Sequence, residues 1–243
     1  NDSTGATGVI YSAGSQLIVE NSTFKSNTGG GAGGVALEVA NVGRARFSGN
    51  LFEDNVSSGI GPAMRIHGSV SVVYPIENNT FIDNQGTRGG AIHNTNTNLI
   101  LNVFNNTFSN NTATILNAGG AIYANQGNIN LANNIFLLSS DGNDCDVNAG
   151  TITSFEGNIT DTDGTSCNFL GSDDVSTADS IVDNLADNGG PTQTMLPIAG
   201  EGALEGGVSQ YCTSRDARGK TRSFDYDGDS DAQCDRGAVE LTF

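Results

Sequence analysis

The sequence predicts an all-β fold: a right-handed parallel β-helix with three short strands in each coil of about 28 residues and a disulfide-stapled C-terminal cap. Three observations predict it. Phe24, Phe52, Phe81 and Phe108 are each followed three residues later by an asparagine, at Asn27, Asn55, Asn84 and Asn111. The steps between these phenylalanines, continued by Phe136 (with Ser139 in the asparagine place), are 28, 29, 27 and 28 residues. A glycine-rich motif keeps the same period, and the chain as a whole is rich in turn formers and poor in charge. It has 33 glycines and 29 asparagines, with charged residues at 15%. Glycine and asparagine are poor helix formers and good turn formers.

The first strand of each coil follows the glycine-rich motif. It reads Gly89-Gly90-Ala91-Ile92-His93 and Gly119-Gly120-Ala121-Ile122-Tyr123. Weaker copies are Gly33 to Leu37, Gly61 to Arg65 and, in part, Thr7 to Tyr11. A second apolar stretch follows each time: Leu17 to Val19, Ala45 to Phe47, Val70 to Tyr74, Leu99 to Val103, and Ile129 to Leu131. The third strand carries the phenylalanine, usually with asparagine just before it, as at Asn21, Asn50, Asn78 and Asn79, Asn105 and Asn106, and Asn133 and Asn134. No segment has helical periodicity, and a constant period of short strands is the mark of stacked coils.

The repeated residues have physical roles. Phe24, Phe52, Phe81, Phe108 and Phe136 are expected to stack inside the tube, where burial contributes about 25 cal/mol per Å². Asn27, Asn55, Asn84 and Asn111 are expected to mark a left-handed turn and to hydrogen-bond their counterparts in the next coil. The small residues of the glycine-rich motif let the chain turn closely.

Residues 1–140 form the repeat region. Their alternating GGAI and FxxN motifs resemble the repeats of the polymorphic outer-membrane protein family, which implies right-handed β-helical coils of a surface protein. Residues 141–243 break the period. Leu185 to Thr194 (LADNGGPTQT), Gly202 to Gly206, Asp216 to Gly219 and Cys234 to Glu240 (CDRGAVE) occur in that order. They resemble the C-terminal region of secreted bacterial right-handed parallel β-helix repeat proteins of the choice-of-anchor type, departing at Arg236 and Val239. The resemblance implies a cap on the C-terminal end, which a solenoid needs because its last coil exposes unpaired backbone.

All four cysteines lie in the tail. Cys145 and Cys167 stand 22 positions apart, as do Cys212 and Cys234. No CxxC and no nearby histidine points to zinc. An even count suggests disulfides and an oxidising compartment, secreted or on a cell surface. Three connectivities are possible, and the two local ones, Cys145–Cys167 and Cys212–Cys234, are expected.

The net charge of −17, with ten lysines and arginines against 27 acids, disfavours nucleic acid and anionic lipid as partners. No apolar run reaches the roughly 18 residues of a membrane helix. The start at Asn1, without a signal-peptide pattern, reads as a mature or excised product. The polar stretch from Asn1 to Thr7 has no evident cap, so the first coil is expected to expose an edge for end-to-end assembly or strand docking.

The sharpest site motif is Asp225, Asp227, Asp229 and Asp231 around Gly228, which resembles part of a calcium loop. Arg236 stands where an EF-hand needs glutamate, so the expectation is a calcium site of another kind. A second acidic cluster is Asp141, Asp144, Asp146, Asp161 and Asp163. Among the basic groups of the coils, Lys25, Arg44, Arg46, Arg65, Arg88, His67 and His93, the pair Arg65 and His93 occupies equivalent places in successive coils. With Asp83 they are candidates for a sugar site, against the plainer reading of outward polar residues. Seven Asn-x-Ser/Thr sequons, at Asn1, Asn21, Asn55, Asn78, Asn105, Asn110 and Asn158, fall within the chance expected of so asparagine-rich a chain. The expected function is structural or adhesive: an extracellular spacer, fibre unit or surface-contact protein that binds itself or matrix components. The alternative is a carbohydrate-active or carbohydrate-binding protein acting on acidic polysaccharide.

Overall fold

A computed structural model describes residues 2–3, 8–31, 35–137, 143–162, 164–177, 181–199, 202–222, 225, 228, 230 and 232–242. The chain winds into a parallel β-solenoid of about five turns of about 28 residues. Sheet I contains Ile10–Ser12, Leu37–Ala40, Met64–His67, Ile92–Asn94, Ile122–Ala124 and Cys145–Val147. Sheet II contains Gln16–Glu20, Arg44–Ser48, Val73–Glu77, Ile100–Phe104, Asn128–Ala132 and Thr151–Ser154. Sheet III contains Thr23–Lys25, Leu51–Glu53, Thr80–Ile82, Thr107–Ser109, Ile135–Leu137, Ile159–Thr160 and Val175–Ser176. The three expected strands per coil are joined by a fourth, of two residues, which builds sheet IV from Asp2–Ser3, Thr28–Gly29, Val56–Ser57, Gln85–Gly86 and Thr112–Ala113.

Alternation in each strand sends one set of side chains into the tube. The phenylalanines of sheet III pair in register and stack: Phe24 on Phe52 at 4.9 Å, Phe52 on Phe81 at 4.9 Å, Phe81 on Phe108 at 4.8 Å and Phe108 on Phe136 at 4.7 Å. These centroid distances match the strand spacing, so one ring per coil fills the core without a gap.

Asn27, Asn55, Asn84 and Asn111 are buried and form the expected ladder. Each side-chain amide donates to the next carbonyl oxygen, at 2.7, 2.8 and 2.9 Å. They do not adopt the left-handed conformation expected of them. That conformation falls one residue earlier, at Ser26, Asp54, Asp83 and Asn110. The preceding residue makes the bend, and the asparagine is thereby turned inward. A second ladder runs through Asn50, Asn79, Asn106, Asn134 and Asn158, at 2.9, 3.0, 3.1 and 3.0 Å. It ends on Asp174, whose Oδ1 accepts from Asn158 at 3.1 Å. A carboxylate only accepts, so the series ends on it without needing another acceptor.

The corner between sheets II and III is also left-handed, at Asn21, Gly49, Asn78, Asn105, Asn133 and Glu156. In the glycine-rich motif, Gly89 and Gly119 are left-handed, and a Cβ on Gly90 would lie 2.1 Å from the Gly120 carbonyl oxygen.

Both disulfides have the expected partners, Cys145–Cys167 and Cys212–Cys234. The first ties the last strand of sheet I to a short 3-10 helix, Thr165–Cys167, and Phe169 closes the core beneath Phe136 at 5.5 Å. Residues 143–162 and 164–177 therefore close the C-terminal end. The signature strings of the tail lie elsewhere, along the flank. Val208 N donates to Asn133 Oδ1 at 2.7 Å, Thr213 N to Asn105 Oδ1 at 3.2 Å, and Thr192 Oγ1 to the Gly49 carbonyl at 3.1 Å. Ala238 N donates to Thr107 Oγ1 at 3.0 Å. The tail runs back as a strap over the left-handed corner, whose asparagine side chains serve as its docking points. Its apolar residues Ile181, Val182, Met195 and Ala203 cover Ile135, Leu137 and Ile159 on the outside of sheet III. Among the described residues no helix is long and apolar enough to cross a membrane.

Candidate functional site

Of the four carboxylates expected to hold calcium, Asp225 is described, whereas Asp227, Asp229 and Asp231 lie outside the described residues. Asp225 accepts the backbone amides of Gly228 at 2.7 Å and Ser230 at 3.1 Å. The second acidic cluster is divided. Asp141 and Asp163 lie outside the described residues, Asp144 is buried and accepts from the Thr162 hydroxyl at 3.1 Å, and Asp146 stands on the outside of sheet I. Among the described residues, no group of three or more His, Cys, Asp or Glu side chains is placed to hold a metal.

Arg65 and His93 do share a face. Strand register lines up Tyr11, Glu38, Arg65, His93, Tyr123 and Asp146 along the outside of sheet I. Glu38 Oε1 lies 2.6 Å from Arg65 Nη1 and 3.0 Å from His67 Nε2. The His93 and Tyr123 rings stack at 5.2 Å, and the Arg88 guanidinium lies over Tyr123, 5.8 Å from the ring centroid. The left-handed Gly61 brings backbone against the row, since a Cβ there would stand 2.9 Å from His93 Cβ. Asp83 is not part of this row. It sits on the left-handed bend between sheets III and IV and accepts from Asn110.

The row is recessed, with Glu38 and His93 each 3% exposed. Burial, then Arg65 and Arg88, depress His93 from 6.5 to about 3. An imidazole that weakly basic is poorly matched to proton transfer near neutrality. The arrangement holds coils in register and offers a ligand the outer edges of Arg65 and Arg88.

A groove of about 410 Å³ lies at the seam between strap and coils, lined by Glu20, Arg46, Arg215, Asp216 and Arg218. Two of its cations are already matched: Arg46 pairs with Glu20 at 2.9 Å and Glu77 at 3.5 Å, and Arg218 pairs with Asp216 at 2.9 Å.

The outside of sheet II changes character along its length. In the first three coils it carries Glu20, Arg44, Arg46 and Glu77. In the last three coils its strands, Ile100–Phe104, Asn128–Ala132 and Thr151–Ser154, contain no charged residue. There the outward rows are Ile100, Asn128 and Thr151, then Asn102, Asn130 and Thr153. Asn130 donates to Asn102 Oδ1 at 2.9 Å, and Thr151 donates to Asn128 Oδ1 at 2.8 Å. Alongside stand three half-buried rings. Tyr211 of the strap lies 5.4 Å from Phe104 and 5.2 Å from Phe155. Sequence reading missed this group because Phe104 and Phe155 fall outside the repeated phenylalanine series and Tyr211 arrives from the strap. The alternation of Ile100, Asn102 and Phe104 with buried Leu101 and Val103 was the available signal.

Among the sequons, Asn55, Asn78, Asn105 and Asn158 are buried, Asn21 and Asn110 are exposed, and Asn1 lies outside the described residues.

Comparison with known proteins gives no significant match to any family model, curated protein or solved structure. What stands is the fold itself, a parallel β-solenoid with two disulfides, and the family resemblances rest on the quoted motifs alone.

Proposed function

We propose that the chain is an extracellular structural and contact module, a stiff solenoid that presents faces to its surroundings and performs no reaction. The observation that carries this reading is the continuity of its internal order: a phenylalanine stack and two asparagine ladders pass from coil to coil. Each coil is thus fixed by its neighbours through buried, directional bonds. The two disulfides support an oxidising setting outside the cell. Of the faces, the last coils of sheet III are covered by the strap, whereas the outside of sheet II in the last coils carries exposed Asn128, Thr151 and Thr153. End-to-end pairing would have to use the first coil, because Phe169 and the first disulfide occupy the other end.

The second reading, catalysis on acidic polysaccharide, would use the sheet I row. The weak basicity of His93 and the burial of Glu38 weigh against it. Incubation with polygalacturonate, alginate and neutral polysaccharides, followed by analysis of released fragments, separates the two. The structural reading expects no release. Sustained release that is lost in His93→Ala would overturn it.

A further inference from the structure

The uncharged stretch of sheet II has the chemistry of a binding face for one class of ligand. The chain carries a net charge of −17, yet three consecutive strands of this face contain no ionisable side chain. An anionic polymer would meet long-range repulsion from the rest of the molecule, and a cationic one would find no carboxylate here to pair with. What the face does offer is amide and hydroxyl groups in two parallel rows, with aromatic rings along one side. The rows repeat at the strand spacing of about 4.8 Å, near the length of one hexose in an extended chain.

The groups are held in place before any ligand arrives. Asn130 is tied to Asn102 and Thr151 to Asn128 by the coil-to-coil bonds described above. The rings are fixed by one another, and Tyr211 is anchored in the 3-10 helix Ser209–Tyr211, next to the Cys212–Cys234 disulfide. Fixing polar groups in advance lowers the entropy cost of binding. Ring faces pack against the C–H faces of a sugar while amides bond its hydroxyls.

We infer that the outside of sheet II over Ile100, Asn102, Asn128, Asn130, Thr151 and Thr153, with Phe104, Phe155 and Tyr211 beside it, binds a neutral polysaccharide in extended form. This rests on the contact-module reading and names the ligand class for its open face. A uronic acid polymer, the ligand of the alternative reading of the sequence, fits the face less well because the strands of this face carry no cation.

The test is titration calorimetry of the whole chain with cellohexaose, mannohexaose and chitohexaose, with hexagalacturonate as the charged counterpart. At least one neutral hexamer is expected to bind. Affinity should fall about tenfold or more in Tyr211→Ala and in Thr153→Arg, and stay unchanged in Arg44→Gln on the charged half of the same sheet. Thermal unfolding of each variant shows whether it folds, and Thr153→Arg, on an exposed residue, decides if Tyr211→Ala does not. The inference is overturned if no neutral hexamer gives saturable heat, if hexagalacturonate binds equally well, or if both folded variants bind as wild type. Any of these leaves the contact-module reading standing, whereas release of shorter sugars from a hexamer would defeat that reading instead.

Discussion

Asn84 donates its side-chain amide to Asn111 Oδ1 at 2.9 Å, and its backbone N–H bonds the same oxygen at 3.2 Å. One carbonyl thus serves two donors of the coil before it. The same double contact joins Asn55 to Asn84, at 2.8 and 3.1 Å. Replacing Asn84 by alanine would strand the Asn55 donors and the Phe52 carbonyl in a buried setting, while the backbone N–H of residue 84 still reaches the Asn111 oxygen. Each stranded group costs about 1–3 kcal/mol. Urea unfolding of Asn84→Ala should show a loss of about 3 kcal/mol or more. A loss below about 1 kcal/mol would mean that water replaces the ladder bonds.

Phe81 lies between Phe52 and Phe108 in the middle of the stack. Phe81→Ala should cost about 3–5 kcal/mol, and Phe81→Leu clearly less, because leucine refills part of the space. Equal losses for the two, in the same unfolding assay, would argue that ring stacking outweighs filled volume.

The strap is fastened by Arg222, which is buried among Asp216, Asp235 and Glu240 and donates to Asn78 Oδ1 of the coils at 2.8 Å. Arg222→Met leaves those acids short of a cation. Breaking a buried ion pair in this way costs about 3–5 kcal/mol. Limited proteolysis should then cut within residues 202–242 before it cuts the coils. Simultaneous cutting of both would show that the strap and coils unfold as one unit.

Two buried groups give opposite pH dependences. Burial, then the neighbouring Glu240, raises Asp235 from 3.8 to about 7, so between those values the folded state holds a proton that the unfolded state has lost. Its contribution to stability therefore falls as pH rises from about 4 to about 7. His93, lowered to about 3, does the reverse. Its contribution is complete above its unfolded value and is lost as pH falls toward 3. His67, also lowered by burial, adds in the same direction as His93. Unfolding midpoints between pH 4 and 7 should gain an upward slope with pH in Asp235→Asn and lose part of theirs in His93→Gln. Parallel profiles for wild type and both variants would contradict these assignments.

Much of the fold was legible because the repeat writes the same contact several times. Phe24 to Phe136 and the asparagines three residues on announce a stack and a ladder, since the same residue in the same place in every coil must meet its own copy. The cysteine pairs were legible from their spacing. The turn position was misread by one residue because Ser26, Asp54, Asp83 and Asn110 differ in type, although all tolerate the left-handed bend. The path of the strap was not legible. It depends on contacts such as Asn78 with Arg215, 137 residues apart, which no local pattern records. The uncharged face was hidden for the same reason: its strands are local, but Tyr211 reaches it only through that path.

The most direct test of the account is amide hydrogen exchange followed by mass spectrometry across the coils. If the ladders and stack make one stiff body, amides of sheets II and III from Arg44 to Leu137 should exchange in a single slow class, with the free energy of global unfolding. A graded series, with coils opening one after another from the first, would contradict it and show that the repeats hold together only as neighbours.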